Sequence, residues 1–160
     1  MEKDKILIRR AKEEDALKIA YVLLDFYNIK DQEEAKKTYI DERGKEFHYI
    51  VATENNKILG LVTWLVHGLP KHGLFELDRI CILGSSRGKG IGKKLVNALI
   101  DDARKWYLKK NEQARKLYLL THESNTNAHL FYEQVGFRHE TTLKDHYYKD
   151  QDERVYTIFL

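Results

Sequence analysis

The stretch SSRGKGIGKKL, Ser85 to Leu95, sets Gly88, Gly90 and Gly92 at alternate positions among Arg87, Lys89 and Lys93, then runs into an amphipathic segment. A turn of small residues between a strand and a helix brings several backbone N–H groups and the positive end of the helix dipole to one point. Anions bind there. The glycines let the backbone approach without Cβ clashes and the cations neutralise charge, which suits a phosphate or pyrophosphate. Two familiar phosphate signatures are excluded. A nucleoside-triphosphate loop needs Ser or Thr after its Gly-Lys, and Lys93 is followed by Lys94. The dinucleotide fingerprint needs G-x-G-x-x-G, and the spacing here is G-x-G-x-G. A flexible basic loop without a ligand is the competing reading.

The elements that must position this turn follow from periodicity and punctuation. Ile6 to Arg10 predicts a short strand, after which Ala16, Ile19, Ala20, Leu23, Leu24 and Tyr27 fall near helical spacing. A second helix is expected over Gln32 to Asp41, with a thin apolar face and a stop at Arg43-Gly44. FHYIVAT and KILGLVTWLV, joined by Glu54-Asn55-Asn56, read as an antiparallel hairpin. Gly68 to Gly73 is a loop. Leu74 to Leu83 is a strand that places Glu76, Asp78, Ile80 and Ile82 on one face and Leu77, Arg79, Cys81 and Leu83 on the other.

After the glycine turn the period changes. Ile91, Leu95, Ala98, Leu99, Asp102 and Trp106 recur at helical intervals over about five turns. KLYLLTH is a strand. Asn125 to Val135 is a short helix that clusters Ala128, Phe131, Tyr132 and Val135 and stops at Gly136. Phe137 to Leu143 and Arg154 to Leu160 read as two closing strands around a polar turn. This order predicts an α/β (α+β) fold with a mixed, mostly antiparallel sheet, locally parallel where helices cross over, and helices on both faces.

At 160 residues one domain, 1–160, is expected. Hydrophobic residues at 42% and charged residues at 33% place the chain among soluble globular proteins rather than disordered ones. The net charge of +3 comes from 28 basic and 25 acidic residues, a mixed solvated surface rather than a nucleic-acid footprint. The basic run from Arg104 to Lys116 reads in the same way, as solvated helix ends. Cys81 is the single cysteine, so no internal disulfide and no cysteine-built metal site is expected, and a reducing, cytoplasmic setting fits. The opening MEKDKILIRR has no apolar run of signal-peptide length, and no window approaches the roughly 20 apolar residues of a membrane helix.

The sequence resembles the GNAT superfamily of acetyl-CoA-dependent N-acetyltransferases. Their signature Arg/Gln-x-x-Gly-x-Gly/Ala matches Arg87, Gly90 and Gly92, after a strand ending Ile80-Cys81-Ile82. Their later Asn-x-x-Ala-x-x-x-Tyr with a following Gly-Phe matches Asn125, Ala128, Tyr132, Gly136 and Phe137. The opening ILIRRAKEEDA resembles the family's first strand and helix entry, so the likeness runs from residue 6 to the end. It implies a transferase, an acyltransferase, on a seven-stranded sheet whose central strand pair splays apart to admit the pantetheine arm. Acetyl-CoA would be the co-substrate, with no metal. Ile80 and Ile82, flanking Cys81, would offer main-chain contacts to pantetheine. Arg87, Gly88, Lys89, Gly90, Ile91, Gly92 and Lys93 would hold the pyrophosphate. Asn125 would bond the pantetheine, and Ala128 and Phe131 would line the cofactor.

Acyl transfer to an amine needs a neutral nitrogen, a donor to the developing oxyanion and a proton for the departing thiolate. The resemblance points to Tyr132 for the last, although from pattern alone a core aromatic is the favoured reading of Tyr132. It suggests a backbone N–H of the splayed strand, at Ile82, for the oxyanion. Glu76 is the first choice of base, with Asp78 and His122 in reserve. The ribosomal-protein alanine acetyltransferases, which the chain partly resembles, place a glutamate five residues before the motif asparagine, where this chain has Leu120. The acceptor stays open. FELDRICIL resembles bacterial polyamine acetyltransferases, which need spare carboxylates such as Glu76, Asp78, Asp25 and Asp31. DHYYKDQDERV resembles the Tyr-Tyr hairpin of protein N-terminal acetyltransferases, with Tyr147 and Tyr148 holding a peptide terminus. A non-catalytic acyl-CoA-binding module that regulates a partner is the competing class. Exposed β edges and the apolar C-terminal strand fit a homodimer.

Overall fold

The computed structural model describes residues 5–26 and 28–160, so Met1–Asp4 and Tyr27, expected near the end of the first helix, lie outside the described residues. The elements run β1 (Leu7–Arg10), α1 (Ala16–Leu23), α2 (Gln32–Arg43), β2 (His48–Glu54), β3 (Lys57–His67), β4 (Leu74–Ile82), α3 (Ile91–Leu108), β5 (Lys116–His122), α4 (Thr126–Gln134), β6 (Arg138–Tyr148) and β7 (Gln151–Phe159). The strands form one seven-stranded sheet in the order β1-β2-β3-β4-β5-β7-β6. Pairing is antiparallel for β1 with β2, β2 with β3, β5 with β7 and β6 with β7, and parallel for β4 with β5. This is the mixed, mostly antiparallel sheet that the element order predicts. The chain divides into two compact units, Met1–Leu65 with Arg79–Asp102, and Val66–Asp78 with Ala103–Leu160.

In the first unit α1 buries Ile19, Ala20, Val22 and Leu23, whereas α2 buries only Ala35 and Tyr39, the thin face expected. α2 starts at Asp31, whose carboxylate accepts from Glu34 N–H at 2.8 Å, a cap worth about 1 kcal/mol. Its end differs in kind from the expectation: Gly44 sits at φ −73, so this stop needs no left-handed residue. Asp15, almost fully buried, takes a two-pronged bond from Arg9 at 2.7 and 2.9 Å and a third from Lys12 N–H at 2.8 Å, tying β1 to the start of α1. The Arg9 hydrogen bonds hold its carboxyl below the usual range. Asn55 and Asn56 adopt φ of 47 and 63, the left-handed pair that a two-residue hairpin turn requires.

Trp64 is fully buried, stacks on His48 with ring centroids 4.0 Å apart, and donates from Nε1 to Asp102 at 3.1 Å. Arg10 bonds the other oxygen of Asp102 at 2.6 Å. Asp102 therefore sits on the buried stripe of α3 as an acceptor, which explains a carboxylate at an apolar position. The rest of that stripe corrects the sequence reading: the buried residues include Ile91, Leu95, Val96, Leu99, Ala103 and Tyr107, while Ala98 and Trp106 are half-buried. The true face is rotated by about one residue.

In the second unit the parallel ladder between β4 and β5 runs for three pairs, Leu74↔Lys116 to Glu76↔Tyr118, whereas β5 pairs with β7 along its whole length. The Tyr107 hydroxyl donates to the Leu74 carbonyl at 2.7 Å, and burial pushes its pKa up to about 12. The closing hairpin corrects another expectation, because β6 and β7 extend through Tyr148 and Gln151 where a polar turn is predicted between Leu143 and Arg154. All of β6 but Leu143 is exposed, so no apolar alternation marks it as a strand. Main-chain pairing carries it, with a register shift between Leu143 and Tyr148 at which Asp145 accepts from Asp150 N–H at 2.7 Å. Among the described residues no helix is long and apolar enough to cross a membrane.

Candidate active site

The first unit carries the strand end and the glycine turn. Leu83 N–H donates to the Leu59 carbonyl at 2.9 Å, and the Cys81 carbonyl lies 2.8 Å from where a Cβ on Gly60 would stand. Both point at β3. Because main-chain groups alternate along a strand, Ile80 and Ile82 turn their N–H and C=O to the opposite edge, the orientation their proposed cofactor contacts need. Cys81 itself is buried.

Gly84–Ser86 forms one tight turn, and Arg87 folds back so that its Nε donates to the Ile82 carbonyl at 3.2 Å. Gly88 and Gly90 adopt φ of +79 and +72, and a Cβ built on either meets nothing within 4 Å. Both facts belong to an open cradle with left-handed backbone. Gly92, by contrast, is helical and buried in the first turn of α3 beside Ile91. Arg87, Lys89 and Lys93 are exposed around the start of this 18-residue helix. The residues present fit a diphosphate.

The second unit carries the acid–base groups. Glu76 Oε2 lies 2.5 Å from His67 Nε2 and accepts from the Tyr118 hydroxyl at 3.3 Å. Its side chain is only 16% exposed, against 38% for His67. Burial pushes the Glu76 carboxyl above the usual carboxylate range, and the His67 and Tyr118 hydrogen bonds offset only part of that. Burial and the Glu76 charge also drive Tyr118 well above a normal phenol, so it remains a donor. Asp78 is exposed on the same strand. Neither His67 nor Tyr118 stands out in the sequence. Tyr118 reaches Glu76 through the parallel register, and His67 through the strand that leads into the Gly68–Gly73 loop, so a drawn strand register was the one signal available.

His122, the reserve base, has Nδ1 against the carboxylate of Glu153, which is almost fully buried, and its ring lies 6.4 Å from that of Tyr148. Leu120 pairs with Val155 in the sheet. Asn125 caps α4, its Oδ1 accepting from Ala128 N–H at 3.4 Å, which leaves the side-chain amide as the donor for a ligand. Ala128 and Phe131 are half-buried. Tyr132 is buried with its ring 5.4 Å from Phe131, 5.7 Å from Phe137 and 6.0 Å from Tyr156, so it has a packing role whatever else it does. Tyr147 and Tyr148 are exposed on the extended hairpin, and Asp31 is committed to its cap. Among the described residues no group of three His, Cys, Asp or Glu side chains is placed to hold a metal ion.

Residues 13–137 match the acetyltransferase (GNAT) family, a span that contains Glu76, the glycine turn and α4. The chain belongs to this family. It is 34% identical over 89 residues to the uncharacterised N-acetyltransferase YjcF of Bacillus subtilis (strain 168), a match over 56% of this chain and 61% of that protein. It is 32% identical over 104 residues to the spermine/spermidine N(1)-acetyltransferase of the same strain, over 61% of this chain and 65% of that one. The chain thus spans less than two thirds of the length of either. The crystal structure of an N-acetyltransferase from Staphylococcus aureus Mu50 has the same fold, with a TM-score of 0.75 at 23% identity over 97% of this chain and 98% of that one.

Proposed function

We propose that the protein is an acetyl-CoA-dependent N-acetyltransferase whose acceptor is a small polyamine. The observation that carries the reading is Glu76, a desolvated carboxylate with raised proton affinity, held by His67 and Tyr118 in a chain of this family. An alkylammonium has a pKa near 10, so a base must take its proton before nitrogen can attack. A carboxylate with ordinary affinity is a weak base for that task, and desolvation strengthens it. The named activity of the spermine/spermidine relative supports a polyamine as the acceptor.

In this reading the backbone of Gly88–Gly92 and the Arg87, Lys89 and Lys93 side chains hold the diphosphate. Ile80 and Ile82 main-chain groups and the Asn125 amide hold the pantetheine, with Ala128 and Phe131 along it. Acetyl-CoA supplies a thioester carbonyl and a thiolate leaving group. Glu76 accepts the ammonium proton and Ile82 N–H donates to the carbonyl oxygen. Tyr132 gives its hydroxyl proton to the leaving sulfur and recovers one from the attacking nitrogen as the amide forms, so that two protons leave nitrogen, one to Glu76 and one, through Tyr132, to the thiol. The exposed pair Tyr147 and Tyr148 favours a second acceptor, a peptide N-terminus gripped between aromatic rings.

The test is thiol release from acetyl-CoA against spermine, spermidine, other small amines and peptides with free N-termini. Turnover on polyamines alone supports the reading. Turnover on peptides alone replaces it with the second acceptor. No turnover, with acetyl-CoA still bound by calorimetry, leaves the regulatory module instead. Within this scheme Tyr132→Phe keeps the packed ring and removes the proton donor, so kcat is expected to fall by about tenfold or more with acetyl-CoA affinity unchanged. An unchanged kcat removes Tyr132 from the catalytic residues. Gly90→Val places a side chain in the diphosphate's approach and a β-branched residue at φ +72. Its Kd for acetyl-CoA is expected to rise about tenfold or more, strained backbone costing roughly 1–3 kcal/mol. Gly84→Ala, equally open but without positive φ, is the control that keeps wild-type affinity.

A further inference from the structure

Acetylation of an ammonium by a thioester gives an amide, a thiol and one proton more than it consumes. That proton must reach water once per turnover. Glu76 is poorly placed to deliver it, being 16% exposed, whereas its partner His67 is 38% exposed. His67 ends β3 immediately before the Gly68–Gly73 loop, where the strand gives way to surface chain.

We propose that His67 is the proton outlet of Glu76, with Tyr118 fixing the carboxylate between them. This rests on the acetyl-transfer reading above. The protons balance in three steps. Glu76 carboxylate takes a proton from the acceptor ammonium, which leaves as the neutral amine. The Glu76 carboxyl passes that proton over the 2.5 Å contact to Nε2 of neutral His67, restoring the carboxylate. His67 then gives a proton to water or buffer and returns to the neutral ring. Tyr118 donates to the same Oε2 from the far side at 3.3 Å, and its ring lies 5.4 Å from the imidazole. The phenol stays protonated throughout, because burial and the Glu76 charge both oppose its ionisation. It therefore orients the carboxylate and carries no proton away.

The charged and titratable groups that act on the pair are few. On Glu76 they are His67 of β3, Tyr118 of β5 and Asp78 of β4 itself, whose charge raises the Glu76 pKa. Tyr147 acts on Tyr118. Once it carries the proton, His67 lowers the proton affinity of Glu76 both by its hydrogen bond and by its charge, which opposes the proton's return. Without the imidazole, the carboxyl holds its proton more tightly and loses the partner that lies 2.5 Å away.

His67→Gln tests this, since the amide can still donate to Glu76 but cannot relay a proton. The expected result is a kcat lower by about 10- to 100-fold at unchanged KM for the amine. Added imidazole should recover most of the loss in a concentration-dependent way, and the acid limb of kcat/KM should move to higher pH. Tyr118→Phe should shift that limb upward as well, but with no rescue by imidazole. A structural role for His67 predicts no imidazole dependence in either variant. Wild-type kcat in His67→Gln, or a loss that imidazole does not relieve, overturns the outlet while acetyl transfer stands. A wild-type protein that releases no thiol with any amine overturns acetyl transfer and the outlet with it. As a control on folding, acetyl-CoA affinity of His67→Gln by calorimetry should match wild type.

Discussion

Glu76→Gln is expected to lower kcat by about 10²- to 10³-fold with little change in acetyl-CoA affinity, the range associated with loss of a positioned general base. The amide keeps the size of the carboxyl and its reach to His67 and Tyr118, but it cannot take a proton. The pH dependence supplies the sharper test. In the proposed mechanism activity requires ionised Glu76, whose pKa stands above the usual carboxylate range chiefly through burial. The acid limb of kcat/KM should therefore lie above the normal carboxylate region and vanish in the variant. The sign for stability runs the other way. A carboxyl whose folded pKa is raised stabilises the fold when protonated and loses that contribution as pH rises through the folded value. At neutral pH the wild type thus bears the cost of a desolvated charge that glutamine lacks. Glu76→Gln should melt no lower than wild type at pH 7, and a markedly lower melting point would attribute its lost activity to unfolding instead.

Trp64→Ala should produce the largest loss of stability of any single change at a residue named above, roughly 3–5 kcal/mol. Trp64 is fully buried, stacks on His48 at 4.0 Å and donates to Asp102 at 3.1 Å. Removing it empties an indole-sized volume and takes a donor from a mostly buried carboxylate. Arg10 still holds the other oxygen of Asp102, so one partner remains. Burial also holds His48 below its usual pKa, and the stack is a contact between neutral rings at neutral pH. Against a total of about 5–15 kcal/mol for a typical domain, such a loss is severe. Urea denaturation followed by tryptophan fluorescence from Trp106 would read it, with Trp64→Phe as the milder comparison. A midpoint within error of wild type would refute a stabilising role for the Trp64–His48–Asp102 cluster.

Local signals were legible because their causes are local. Asn55-Asn56 makes a hairpin turn since asparagine tolerates positive φ, and both residues adopt it. Gly88 and Gly90 mark an open left-handed turn before a helix, and the structure places them so. Asn125, which the family resemblance assigns to pantetheine, is in the structure the cap of α4. What failed was whatever depended on distant partners. On α3 the sequence pattern selects Ala98 and Trp106, which are half-buried, and passes over Val96, Ala103 and Tyr107, which are fully buried, because the packing partners of the helix decide which apolar residues face the core. The long β6–β7 hairpin was missed because an exposed strand held by main-chain bonds leaves no apolar alternation.

The sequence by itself determined the family, the order of elements and the open glycine turn, because those follow from short-range spacing and from backbone conformations that particular residues allow. Glu76 could be named from its strand face together with the family resemblance. Only the tertiary structure decided what surrounds it. His67 lies nine residues earlier and Tyr118 forty-two later, and they meet one carboxylate oxygen solely through the register of paired strands. Register is set by the summed burial of many side chains and by chain closure over long loops. No local pattern encodes that sum, and it is this sum that turns a strand glutamate into a buried, hydrogen-bonded carboxylate with raised proton affinity.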